Sequence, residues 1–225
     1  MVFFPSSSGQ GILRKDSKGN RIWIFLALWV VLFLFLNPDP LLSGVAEDPM
    51  IQREEKLRTL RKERDRFFKE NDRTPLKDGD RKKFKGLFYY PIDLRYAMIG
   101  TIEPYSKEPK PLYVTLPTNR EMGKRYVKVG RFRFKWEGKG YVLQIYRPLG
   151  GGEFFLPFKD KTSGVETFLK GRYLHIEGMP DGKVLIDFNR AYNPFCQFNE
   201  KYTCPFASEE NGLDIPVRAG EKRFH

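Results

Sequence analysis

Tyr126-Val127-Lys128-Val129-Gly130-Arg131-Phe132-Arg133-Phe134-Lys135-Trp136 carries the alternation that decides the fold. In an extended chain Arg131, Arg133 and Lys135 share one face, and Phe132, Phe134 and Trp136 share the other. That period of two marks a strand with one face on a core and one in water. Glu137-Gly138-Lys139-Gly140 turns the chain and Tyr141 to Tyr146 returns it. Outward from this hairpin, Leu112–Leu116 and a long strand opening at Arg95–Gly100 and ending near Pro104 come before it. Phe154–Phe158 follows the Gly150-Gly151-Gly152 turn, and Gly171–Ile176 and Lys183–Phe188 flank Pro180-Asp181-Gly182. Short, regularly spaced strands with Gly and Pro turns predict a mainly β domain over residues 84–225, an antiparallel meander forming a sandwich or barrel. From Asn189 onward the chain reads as a long loop wrapped on the domain surface.

Upstream the period changes. Asp48-Pro49 is an N-cap followed by proline at the first helical position. Met50, Leu57, Leu60, Arg64 and Phe67 recur at helical spacing, and Glu54 with Arg58 supplies an i,i+4 ion pair. These features predict an amphipathic helical stalk over residues 47–71, with its stripe on the domain or its basic face on lipid. A polar connection, Asp72 to Lys83, links it to the strands.

Ile22 to Leu36 contains no polar residue. As a helix it is about 22 Å long against a hydrocarbon core of roughly 30 Å. Arg14, Lys15, Lys18 and Arg21 precede it and Asn37-Pro38-Asp39-Pro40 follows. The reading is a basic cytoplasmic tail (1–21) and a single-pass transmembrane signal anchor (22–36), with the C-terminal domain outside the cytoplasm. A signal peptide cleaved near Gly44-Val45-Ala46 is the competing reading.

The 225 residues carry a formal net charge of +12, with the excess in Arg53–Lys85 and Arg120–Lys139. On a membrane-tethered domain this implies attraction to anionic headgroups or an acidic envelope component. Nucleic acid, the other usual partner of a basic surface, is excluded by the outward orientation. An unidentified protein partner stays open. Cys196 and Cys204 are the only cysteines, and in an exported domain they predict one disulfide closing a short loop. The two histidines, His175 and His225, stand at no metal-ligand spacing, so no metal is expected. No phosphate loop, Gly-x-Ser-x-Gly or His-Glu-x-x-His occurs, so no cofactor is expected and no nucleophile is marked.

One polar block stands out in the β domain: Asp160, Thr162, Glu166, Arg172, Asp187, Asn189, Arg190, Asn193, Glu210, Asn211, Arg218 and Glu221. Arginine grips a carboxylate or phosphate through two parallel hydrogen bonds. The candidate site is therefore Arg172 and Arg190 on an anionic ligand, oriented by Asp187 and Glu221. Buried charges must be paired, so a purely structural network selects the same residue types. The functional expectation is a ligand-binding or protein-interaction domain of the cell envelope; the alternative is an envelope hydrolase using carboxylates such as Asp160, Asp187 or Glu221.

The motifs Phe155-Leu156-Pro157-Phe158-Lys159-Asp160-Lys161-Thr162-Ser163-Gly164, Gly171-Arg172-Tyr173-Leu174, Ile186 through Cys196, Cys204-Pro205 and Arg218-Ala219-Gly220-Glu221-Lys222 resemble the signature of the domain-of-unknown-function 1684 family. Thr74-Pro75-Leu76, Phe84-Lys85-Gly86-Leu87 and Tyr89-Tyr90-Pro91 resemble its opening motif, and Arg64 to Lys69 fits upstream of it. The resemblance runs from about Glu54 to the end. Phe168 stands where tyrosine is commoner, and Ala207-Ser208 replaces a Pro-rich pair. Longer members are expected to carry an additional N-terminal module that this chain lacks. The resemblance implies no assigned activity.

Overall fold

A computed structural model describes residues 48–105 and 111–225. The basic tail and the apolar run 22–36 lie outside the described residues. Among the described residues, no helix is long and apolar enough to cross a membrane.

Among the described residues, eight strands form one antiparallel sheet: β1 (Ala97–Gly100), β2 (Ile102–Pro104), β3 (Leu112–Leu116), β4 (Lys124–Trp136), β5 (Lys139–Pro148), β6 (Phe154–Phe158), β7 (Arg172–Gly178) and β8 (Val184–Asp187). Their order is β1-β8-β7-β6-β5-β4-β2, with β3 also on β4. The strand expected to run from Arg95 to Pro104 is instead split. Leu94–Tyr96 forms a 3-10 turn, and Thr101 separates β1 from β2. The split closes the sheet: β1 pairs with β8 while β2 pairs with β4, so one stretch of chain joins both ends into a nearly closed barrel. Closure removes the open edges that a flat meander would leave.

β4 and β5 form a long hairpin whose turn residues, Glu137 and Gly138, take φ of 49° and 81°. Positive φ at both positions suits the twist of a two-residue hairpin. The β4–β5 register shifts between Lys128 and Gly130. A Cβ on Gly130 would lie 2.3 Å from the Glu103 carbonyl oxygen, so glycine lets β2 approach at this bulge. The extra residue reverses the facing of everything before it. Tyr126 thereby packs in a different cluster from Phe132 and Phe134, although all three are an even number of residues apart.

The sheet consequently buries both faces. Phe132, Leu143, Ile145, Leu156, Phe158, Leu174 and Ile186 make the main core. On the other face Tyr126, Tyr146, Phe155 and Tyr173 form an aromatic cluster with Cys204. The chain after Asn189 covers this outer cluster, and then returns Val217 and Ala219 to the main core. As expected, Arg133 and Lys135 are exposed opposite buried Phe132 and Phe134, and Arg131 and Arg133 both bond Glu103, at 3.2 and 2.9 Å.

The helix α1 spans Pro49–Glu70. Asp48 caps it by accepting from the Met50 amide at 2.8 Å, and Glu54 pairs with Arg58 at 3.4 Å. It ends at Asn71, whose backbone is extended. The helix lies on the domain rather than standing away from it. Phe68 is fully buried among Phe84, Phe195 and Phe198, a burial that contributes up to about 3 kcal/mol. The buried face is set by Leu57 and Phe68; Met50, assigned to the stripe in the sequence, is exposed, while Phe67 is half-buried and stacks on Phe195. A second helix, α2 (Asp78–Lys83), is a short six-residue helix in the connection.

Candidate functional site

The polar block does not gather around one ligand. Arg172 leaves the start of β7 with its side chain fully buried and pairs with Asp160 at 2.9 Å. Its Nη1 and Nη2 also donate to carbonyls of the C-terminal strap, Val217 at 2.8 Å, Glu221 at 3.2 Å, and Ala219, while Nε has no partner among the described residues. Gly220, at φ 76°, bends the strap between Ala219 and Glu221, and one guanidinium meets all three carbonyls. Asp160 also accepts from the Thr162 and Val217 amides, and the Thr162 hydroxyl joins Asp160 to Thr167. This buried unit clamps the strap to the barrel.

Asn211 fills a gap in the ladder. Gln144 and Pro157 face each other across β5 and β6, where proline has no amide hydrogen to donate. The Asn211 amide donates to the carbonyls of Gln144 (2.9 Å) and Pro157 (2.8 Å) and accepts from Gln144 N–H (2.6 Å). Asn189 similarly brackets Asp93, accepting from its amide at 2.9 Å and donating to its carbonyl at 2.8 Å. Asn193 donates to Glu221 and to the Lys222 carbonyl. Glu210 pairs with Lys128 at 2.7 Å and Glu166 with Arg218 at 3.2 Å, both at the surface.

The expected Arg172–Arg190 anion clamp is therefore corrected. Arg190 bonds Glu177 at 2.7 Å, Asp187 bonds Arg53 at 3.3 Å, and Glu221 bonds Arg64. The last two pairs come from α1, an element too distant in sequence for local spacing to reveal. The expected disulfide is also absent. Cys196 and Cys204 are free thiols, with the Cys196 amide donating to the Cys204 sulfur at 3.1 Å.

Three of the singled-out residues, Asn189, Arg190 and Glu221, do share a cleft of about 310 Å³ beneath α1. Leu57, Leu60 and Phe67 from the helix and Tyr192 from the loop give it apolar walls. Arg61, Arg64 and Tyr89 add polar groups that the sequence reading did not assign to a site. The available signal was the helix stripe itself: Arg61 lies four residues after Leu57 and Arg64 four before Phe68, on the buried face. Arg61 donates through Nη1 to the Tyr90 carbonyl at 2.9 Å and lies over the Tyr89 ring at 4.6 Å. Its Nε and Nη2 are buried with no partner among the described residues, and so is the Tyr89 hydroxyl. Burial lowers the Arg61 pKa and raises that of Tyr89, with Glu221 adding to the Tyr89 shift.

Residues 82–222 match the model of a family described as protein of unknown function (DUF1684). The chain belongs to that family. A solved relative carries the same fold: the solution NMR structure of an uncharacterized protein of Haloarcula marismortui, 33% identical. The match covers 77% of this chain and 95% of that one, with a TM-score of 0.60. No curated protein matches this DUF1684 chain. The Arg172–Asp160 clamp and the Asn211 clip fall inside the matched range, whereas Arg61 and Arg64 lie before it.

Proposed function

We propose that this protein is a binding module whose cleft beneath α1 takes a small carboxylate with an apolar body. The observation that carries this reading is the unpartnered edge of Arg61. Arg53, Arg64 and Arg190 each have a carboxylate partner, whereas Arg61 has none among the described residues. Nε and Nη2 form one edge of the guanidinium, the geometry that meets a carboxylate through two parallel bonds. Buried donors without acceptors are costly, and a ligand carboxylate removes that cost. Leu57, Leu60, Phe67 and Tyr192 supply the apolar wall, and 310 Å³ is at the small end of ligand cavities. The carboxylates a hydrolase would recruit are engaged: Asp160, Asp187 and Glu221 each accept from several protein donors, which supports binding over turnover.

Thermal unfolding of the full chain with hexanoate, decanoate and the matching alkylamines tests this. A carboxylate-specific rise in Tm that is lost in Arg61→Gln is expected. Equal shifts with amines, or a shift that survives Arg61→Gln, would sink the proposal. The apolar run 22–36 and its basic flank support a membrane location for the module, with the domain outside the cytoplasm. Resistance of the protein to alkaline extraction from membranes is the corresponding check.

A further inference from the structure

Cys204 lines a second cleft, of about 280 Å³, on the opposite face of the sheet from the main core, and Cys196 packs beside the same aromatic cluster. Its walls are aromatic, with Tyr126, Phe155, Tyr173, Tyr192 and Phe195 around Cys204. Cys204 is 6% exposed, yet it lines this cleft. Its sulfur accepts the Cys196 amide at 3.1 Å.

No bridge is needed to hold the loop. The Cys204 amide donates to Asn119 at 2.9 Å, and Asn119 donates to the Tyr202 carbonyl at 2.8 Å. Phe206 donates to the Pro117 carbonyl at 2.7 Å, and the Tyr173 hydroxyl donates to the Pro205 carbonyl. A structural disulfide stabilises by closing a loop that is otherwise open. Here hydrogen bonds to two separate segments, Pro117–Asn119 and β7, close it, and the thiols remain available for chemistry.

The two sulfurs are also unequal in position. Cys204 lines the cleft and accepts the Cys196 amide, a contact that stabilises negative charge on its sulfur, whereas Cys196 is not one of the cleft's walls. A thiol facing a cleft with a second thiol beside it is the arrangement of a nucleophile with a resolving cysteine.

We propose that Cys204 is a nucleophile toward organic hydroperoxides entering the aromatic cleft, and that Cys196 resolves the product to a reversible disulfide. In the first step the Cys204 sulfur attacks the terminal peroxide oxygen. The O–O bond breaks, the alkoxide leaves and takes up the thiol proton as an alcohol, and Cys204 becomes a sulfenic acid. In the second step the Cys196 sulfur attacks the Cys204 sulfur. The S–O bond breaks, hydroxide leaves with the Cys196 proton as water, and the disulfide forms. The hydroperoxide is the two-electron oxidant and the thiol pair the reductant. The apolar aromatic walls favour an organic hydroperoxide over hydrogen peroxide.

Reduced full chain treated with cumene hydroperoxide, then digested for mass spectrometry, tests the assignment. The expected product links Cys196 to Cys204 with loss of two hydrogens, and dithiothreitol reverses it. Cys196→Ser should stop at a dimedone-reactive Cys204, and one equivalent of iodoacetamide should label Cys204 first in the parent protein. If Cys196→Ser fails to fold, the parent readouts decide alone. A bridge that resists dithiothreitol in the folded chain, first labelling at Cys196, or two thiols untouched by peroxide would each overturn the proposal.

Discussion

Replacing Asp160 by asparagine isolates one charge in the buried clamp. Asparagine keeps an acceptor for the Thr162 and Val217 amides, now bonded to Asp160 at 2.7 and 3.3 Å. It removes the negative charge facing Arg172 and can set an amide donor against a guanidinium donor. Both side chains of the pair are essentially inaccessible to water. Removing one partner of such a pair costs about 3–5 kcal/mol, because the surviving charge stays buried without compensation. A domain of this size has about 5–15 kcal/mol of stability in total. With a urea m-value of about 2 kcal/mol/M, the midpoint should fall by roughly 1.5–2.5 M. Arg172→Met should fall further, since it also strips the donors from the Val217, Ala219 and Glu221 carbonyls. Glu210→Gln, in a pair whose carboxylate is mostly exposed, should change stability by less than about 1 kcal/mol. Urea unfolding followed by far-ultraviolet circular dichroism reads all three. If Asp160→Asn unfolds within about 1 kcal/mol of the parent at an unchanged m-value, the clamp is not what holds the strap, and the reasoning fails.

Tyr89→Phe removes a buried hydroxyl that has no partner among the described residues, so the ligand-free protein should lose less than about 1 kcal/mol, or gain slightly. A larger loss in thermal or urea unfolding would mean that the hydroxyl has a partner in solution. Gly220→Ala places a Cβ 2.5 Å from the Ala191 carbonyl oxygen at φ +76°, and should cost about 2 kcal/mol or more in the same assay. A neutral result would show that the strap can shift. His175 stacks on Tyr192, and burial lowers its pKa despite nearby Glu153. Its folded-state pKa lies below that of the unfolded chain, about 6.5, so its contribution is present above that pH and is lost as pH falls through the folded value. The stability difference between the parent and His175→Asn should therefore shift against the parent between pH 7.5 and 5.5; a difference constant over that range would contradict the assignment.

Much of the architecture was legible locally. Leu112–Leu116 and Phe154–Phe158 form strands with the bounds read from alternation, and Asp48-Pro49 opens α1 as its capping pattern requires. Such features depend on neighbours one to four residues away, which the sequence displays directly. The aromatic outer face was less legible, because the Gly130 bulge reverses the alternation within a single strand.

The polar block shows where local reading ends. Its composition identified the residues that a buried network needs, but not their partners. Arg172 meets Asp160 across 12 positions, Asn211 reaches Gln144 across 67, and Arg64 reaches Glu221 across 157. The amino-acid sequence by itself determined the strands, the capped helix, the basic balance and the apolar N-terminal run. Only the tertiary structure decided that α1 lies on the barrel, that most of the block is spent holding the C-terminal strap, and that Arg61 is left with an unpaired edge. The physical reason is that backbone periodicity is a short-range property, whereas the pairing of buried charges is set by which distant segments the folded chain brings together.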